Sequence, residues 1–256
     1  MKTTFALIAI LLSLACVGRV TAANAASYVV LSLVDHQLMV GTVDVRNNKS
    51  QWVTYPRRDG AFDFAALKAT DAAIRRLQPD ATVVSRRTAD PRIYALQRKW
   101  IEGDSIDVAQ LVDLLKSELA DEPDTHLVVI AAHRADIMLP GFTVFGGAPK
   151  LAGKASGLGF YVETNLRFWE GESRELSFGF IAPFANFRMV LIDPRTMTIE
   201  ANEPTAAGRV ITATRSANRD DPWNAISDRE RIQYLESLLT SEINRMTPIL
   251  LQERKR

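Results

Sequence analysis

The residues whose types and spacing come nearest to chemistry are His133, Arg134 and Asp136, just after the apolar run "THLVVIAA" (125–132), and Asp35-His36, just after "SYVVLSLV" (27–34). In an open α/β sheet the C-terminal ends of parallel strands collect at one edge, where an imidazole and a carboxylate can pass a proton between them. If the two runs are parallel neighbours, His133 and Asp136 are the catalytic candidates of a hydrolase, with Asp35 and His36 facing them. The competing reading of Asp35-His36 is a two-residue hairpin connection to "QLMVGTVDV" (37–45), because Asp in a turn bonds its own backbone. The turn is the simpler of the two, and no nucleophile stands beside either histidine in the sequence.

Other chemistries find fewer parts. His126 and His133 lie seven residues apart in one strand, so they point to opposite faces. Zinc needs three or four convergent ligands, and no HExxH or related cluster is present, so neither a metal nor another cofactor is expected. "GAPKLAGKAS" (147–156) has five residues between its glycines where a phosphate-binding P-loop has four, and Ala155 follows Lys154 where Ser or Thr is required. Ser156 lacks the glycine two positions before it that a nucleophile elbow uses. Asp193, in "FRMVLIDPRTMTIEAN" (187–202), ends a strand, but Pro194 suits the second position of a β-turn and Asp the first, which makes Asp193 a turn residue.

The elements that would position these groups alternate in type. Strands are expected at 27–34, 37–45, 50–56, 81–87 and 125–132. The last is apolar throughout, so helices should cover both its faces. Helices are expected over 62–78, with Leu67, Thr70, Ile74 and Leu77 on one face, over 91–100, and over 104–120, capped by Asp104 or Ser105. Residues 139–157 read as a long loop and offer a third function, capture of a small ligand. Beyond it the pattern alternates: "LGFYVETNLRF" (158–168) reads as a half-buried antiparallel strand, 175–192 as a long strand in which Pro183 forces a bend, a bulge or an edge, and "TMTIEANE" and "RVITATRS" (209–216) as further strands of the sheet. An amphipathic helix from Asp228 to about Thr247, with Ile232, Leu235, Leu239, Ile243 and Met246 on one stripe, closes the chain. The pattern predicts one α/β domain over 26–256, with a mixed β-sheet, helices on its faces, antiparallel C-terminal strands and a C-terminal amphipathic helix.

The first residues predict an address. Lys2, the apolar run Phe5–Val17 and the small residues of "VTAA" and "ANAA" have the form of a secretory signal peptide over 1–25. Cys16 lies at the end of the apolar run, near where a lipid-bearing cysteine would stand, but Ser13 at −3 and Leu14 at −2 depart from the lipoprotein box. Removal of Cys16 with the leader is expected rather than a lipid anchor, and the mature chain then has no cysteine. Losing Lys2 and Arg19 leaves 29 of the 31 basic residues against 30 acidic ones. A balance so even provides no field to recruit nucleic acid. No later stretch is long and apolar enough for a transmembrane helix.

"MVLIDPRTMTIEAN" (189–202) resembles the hairpin shared by the amino-terminal domain of the TolB translocation protein, the curli-secretion lipoproteins and the lipoprotein activators of penicillin-binding proteins. In that hairpin an apolar strand ends in Asp, a Thr follows, and a second strand ends in small or polar residues. Asp193, Thr196 and Ala201 match, while Met197 stands where a Gly usually follows the Thr. The chain as a whole is also similar to exported proteobacterial proteins, a likeness that implies no activity. The resemblance implies an α/β domain that binds other proteins of the periplasm without catalysing a reaction. The expected function is therefore that of an exported envelope protein acting through protein–protein interaction or assembly, and the alternative is the periplasmic hydrolase using His133 and Asp136.

Overall fold

The computed structural model describes residues 26–44, 49–57, 59–103, 105–119, 125–136, 154–170, 175–212 and 222–253. The expected signal peptide, Cys16, Asp104 and most of the 139–157 loop lie outside them. The elements run β1 (Ser27–Ser32), a 3-10 turn (Val34–His36), β2 (Gln37–Asp44), β3 (Lys49–Pro56), α1 (Ala61–Leu77), β4 (Thr82–Arg87), α2 (Pro91–Gly103), α3 (Val108–Leu114), α4 (Lys116–Leu119) and β5 (Thr125–Ala132). There follow β6 (Arg134–Asp136), β7 (Lys154–Glu170), β8 (Glu175–Asp193), β9 (Thr198–Gly208), β10 (Ile211–Thr212), a 3-10 turn (Pro222–Ala225) and α5 (Asp228–Glu253). This is one α/β domain with a mixed sheet, its helices on both faces.

The sheet is organised around β8. Residues 187–192 of β8 pair antiparallel with β5, and residues 175–186 pair antiparallel with β7. β9 runs against 184–193 and overlaps both stretches, so it occupies the other edge, and β5 and β7 share one edge end to end. Two half-sheets therefore meet on one long strand. One continues from β5 through parallel β1 to parallel β4, and the other from β7 through parallel β2 to antiparallel β3.

This topology replaces the expected β1–β2 hairpin. Both strands run antiparallel to β8, so the chain does not reverse between them; the 3-10 turn carries it from one half-sheet into the other. Asp35 is accordingly buried at a junction and not exposed at a turn. The "half-buried" reading of 158–168 also changes. Residues 157–163 are buried on both faces, Tyr161 and Glu163 included, because β7 is an inner strand between β2 and β8.

Burial follows the period-two alternation of the inner strands. Val30, Val128 and Ile130 point to the face covered by α1 and α5, where Phe62, Leu67, Ile74, Leu235, Leu239 and Ile243 meet them. Val29, Leu31, Leu127 and Val129 point to the opposite face, under Ile93, Leu96 and Trp100 of α2 and Leu111 of α3. The helix expected over 104–120 breaks at Leu115, and its start is capped by Asp107, whose carboxylate accepts the N–H of Gln110 at 3.0 Å. α5 runs six residues beyond the expected end, through Pro248, with Leu250 and Leu251 buried against the core.

Candidate functional site

A cleft of about 590 Å³ opens outside the C-terminal ends of β1 and β4, the place where open α/β sheets bind their ligands. Its walls come from four segments. The 3-10 turn supplies Asp35 and His36, the end of β3 supplies Pro56 and Arg57, the entry to α1 supplies Asp59, Gly60 and Asp63, and the stretch from β4 into α2 supplies Arg87, Thr88, Ala89, Pro91 and Tyr94.

Two buried carboxylates tie these segments together. Asp35 accepts the N–H of Phe62, in the first turn of α1, at 2.9 Å and the Nε of Arg57 at 2.8 Å. Asp63 faces the other way and accepts the Ser32 hydroxyl at 2.6 Å, the N–H of Val34 at 2.9 Å and that of Asp35 at 3.3 Å. Each carboxylate thus holds the backbone of the other's segment. Gly60 precedes α1 at φ +68°, where a side chain would be strained. Arg57 bridges Asp35 to Asp59 at 2.6 Å, and its guanidinium lies over the Phe62 ring, 4.6 Å from the centroid.

The electrostatics follow from burial. Burial pushes the Asp35 carboxyl up to about 6, more than the Phe62 N–H and the Arg57 guanidinium can offset. Burial also raises Asp63 against its three hydrogen bonds. The Arg57 guanidinium holds Asp59, nearer the surface, below the ordinary carboxylate range. His36 stacks on Tyr94, with ring centroids 4.4 Å apart and planes 20° from parallel. Burial, and then the charge of Arg98, lowers its pKa, so the imidazole is neutral at pH 7. Tyr94 is pinned by its hydroxyl, which donates to Thr88 O at 3.1 Å, and burial pushes it up to about 12.

β1 and β5 are parallel neighbours, the condition for the His–Asp constellation expected at their ends. His133 donates its backbone N–H to Asn186 O at 3.0 Å, and its Nδ1 lies 2.6 Å from Nη2 of the buried Arg188. Asp136 is exposed on β6, across from Lys154. Neither His133 nor Asp136 lines the cleft. His126 points elsewhere, its Nδ1 2.8 Å from Glu200 Oε2. Among the described residues no group of His, Cys, Asp and Glu could hold a metal ion. At Asp193 the carboxylate accepts the N–H of Arg195 at 2.8 Å, as a turn residue does. Burial there acts to raise the carboxyl, and the N–H groups of Arg195 and Thr196 outweigh it.

Sequence reasoning missed Arg57, Asp63, Arg87 and Tyr94. Asp63 carried a usable signal: it falls on the same helical stripe as Leu67, Thr70 and Ile74, and a carboxylate on an apolar stripe must be held by buried donors. Arg57, Arg87 and Tyr94 are joined only by the tertiary fold.

No family model matches the chain, and no curated protein matches it. Solved structures similar to it include a neuraminyllactose-binding hemagglutinin homologue from Helicobacter pylori, with TM-score 0.40 and 6% identity over 91% of this chain and 89% of that one. Another is a Xanthomonas campestris protein of the DUF330 family, with TM-score 0.36 and 9% identity over 90% and 88%. Both likenesses are to bacterial proteins, and neither bears on activity.

Proposed function

We propose that this chain is an exported protein of the bacterial cell envelope that acts through protein–protein interaction, taking an extended segment of a partner onto the free edge of β3. The observation that carries the reading is that edge. Among the described residues β3 pairs with β2 alone, over eight residues. The N–H of Arg57 donates to His36 O at 3.0 Å, which sets the phase of the ladder. Hydrogen-bonded pairs alternate in an antiparallel ladder, so the backbone groups of Ser50, Trp52 and Thr54 point away from β2. Val53 and Tyr55 are 50% and 51% exposed, a high value for large apolar side chains on a strand. An extended polypeptide satisfies both features, its backbone bonding the edge and alternate apolar residues covering Val53 and Tyr55.

The leader-like residues 1–25 support export, and the resemblance of the β8–β9 hairpin to the TolB amino-terminal and curli-secretion domains supports a binding role. The hydrolase alternative would need His133 beside Asp136 in a cleft; neither residue lines the cleft described above, His133 Nδ1 lies against Arg188, and Asp136 is exposed on β6. The test uses the tagged mature chain with a photo-crosslinking residue at position 53, expressed in its own envelope. Thr54→Pro removes an N–H that faces away from β2, so the fold should keep its melting temperature. It blocks an added strand, so the crosslinked partner should disappear. A partner captured equally by the Thr54→Pro variant would overturn the reading.

A further inference from the structure

The cleft at the ends of β1 and β4 takes only the end of β3, Pro56 and Arg57, into its wall, and two of its basic side chains make no hydrogen bond among the described residues. Its carboxylates are committed. Asp63 takes the Ser32, Val34 and Asp35 donors all on Oδ1, with the charge of Arg87 acting on the same carboxylate, and Asp35 takes Arg57 on Oδ1 and Phe62 on Oδ2. Asp59 bonds Arg57 and accepts the N–H of Ala61 at 3.4 Å. Arg57 is likewise committed, between Asp35 and Asp59.

Two lining groups remain. The Arg87 guanidinium makes no hydrogen bond with the described residues, although its charge acts on the Asp63 carboxylate; it reaches across to the entry of α1, where Nη1 lies 3.4 Å from the place a Cβ on Gly60 would take. The ring nitrogens of His36 also make no hydrogen bond among the described residues, and the ring is held flat on Tyr94. Pro56, Ala89 and Pro91 complete a wall of apolar surface around them. A guanidinium fork beside a neutral imidazole donor recognises a carboxylate or phosphate oxygen, and the rigid ring stack with the prolines suits a flat or apolar body attached to it.

We propose that this cleft binds a small organic anion, with Arg87 and His36 on its carboxylate or phosphate and the Tyr94 side of the wall against its apolar body. The register Ser32↔Arg87 places Arg87 at the very end of β4, across from the residue of β1 that leads into the 3-10 turn carrying His36, and both side chains line the cleft. The site is held in shape without a ligand, because Tyr94 is fixed by Thr88 and the turn is fixed by Asp63. Preorganisation of this kind leaves little ordering cost to binding.

The probes are phenyl phosphate, inorganic phosphate and benzylamine, titrated into the mature chain at pH 7 while the imidazole resonances of His36 are followed by NMR. Phenyl phosphate should shift them saturably, and more tightly than inorganic phosphate, which lacks the ring. Arg87→Gln should weaken phenyl phosphate by about tenfold or more, the value of a charge-assisted bond, with the fold retained and only a small fall in melting temperature, because Arg87 is exposed and acts on Asp63 through its charge alone. Arg87→Lys, which keeps the charge without the fork, should fall between and serves should the Gln variant fail to fold. The proposal is overturned if phenyl phosphate gives no saturable shift up to about 10 mM, if both Arg87 variants bind it as the unaltered chain does, or if benzylamine binds more tightly than phenyl phosphate.

Discussion

At the scale of single residues, burial decides what the titratable groups do. Asp35 stands at 3.8 when solvated and at about 6 in the fold. A raised carboxyl pKa means that the native state holds the proton more tightly. The contribution to stability is then fully present below the unfolded value and is lost as pH rises through about 6. Two units of difference correspond to about 3 kcal/mol. Asp35→Asn removes this dependence. Urea unfolding of both proteins should show the stability difference moving in favour of the variant by up to about 3 kcal/mol between about pH 4 and about pH 8. A difference that stays constant with pH would show that the carboxyl does not titrate in this window. Met197 gives a second residue-scale prediction. It adopts φ +56°, a left-handed conformation that disfavours any residue with a Cβ, at the position where the resembled hairpins carry glycine. Its side chain is 46% exposed, so little packing is at stake. Met197→Gly should raise stability by about 0.5–1 kcal/mol in chemical denaturation, less whatever freedom glycine adds to the unfolded chain.

At the scale of elements, legibility in the sequence depended on whether neighbours along the chain decide the outcome. The run 125–132 was legible to the residue, because an apolar strand covered on both faces announces itself by composition. α1 and the stripe Leu235, Leu239, Ile243 and Met246 of α5 were legible from helical period. The 3-10 turn at Val34–His36 was not, because a turn and an in-line crossing use the same Asp-His pair; only the pairing of β1 with β4 and β5, far away in sequence, separates them. The cleft inherits that difficulty, since its walls come from segments up to 59 residues apart, Asp35 to Tyr94. The end of α5 shows tertiary contact overriding local preference. Pro248 cannot donate a helical hydrogen bond and its ring crowds the carbonyl of Asn244, yet the helix continues to Glu253 because Leu250 and Leu251 are buried at 1% and 5% exposure. Pro248→Ala should therefore stabilise the protein by about 1 kcal/mol or more, whereas Leu250→Ala should cost about 2–5 kcal/mol, both read from thermal unfolding. A loss of stability in Pro248→Ala would mean that the irregularity at Pro248 is needed to seat the two leucines.

At the scale of the molecule, the two half-sheets have no independent existence, because both are built on β8. The stretch 187–192 belongs to the half with the parallel strands, and 175–186 to the half with β7, β2 and β3. Asn186 stands at the changeover. It is fully buried, its backbone oxygen accepts the N–H of His133, and its side-chain amide donates to Ala155 O at 3.0 Å and to Ala135 O at 3.4 Å. One residue thus joins β8 to the end of β5, to β6 and to the start of β7. The core on the face of α1 and α5 also spans both halves, taking Val128 and Ile130 from one and Phe160 and Val162 from the other. Neither half can unfold without exposing that shared core, so calorimetry should give a single transition whose calorimetric and van't Hoff enthalpies agree. Asn186→Leu keeps the volume but leaves the carbonyl of Ala155 without its donor in the interior, a loss of about 1–3 kcal/mol. The variant should unfold in the same single transition at a lower temperature. Two resolved transitions in the Asn186→Leu variant, one for each half-sheet, would show that the amide and not the shared core is what makes the molecule cooperative.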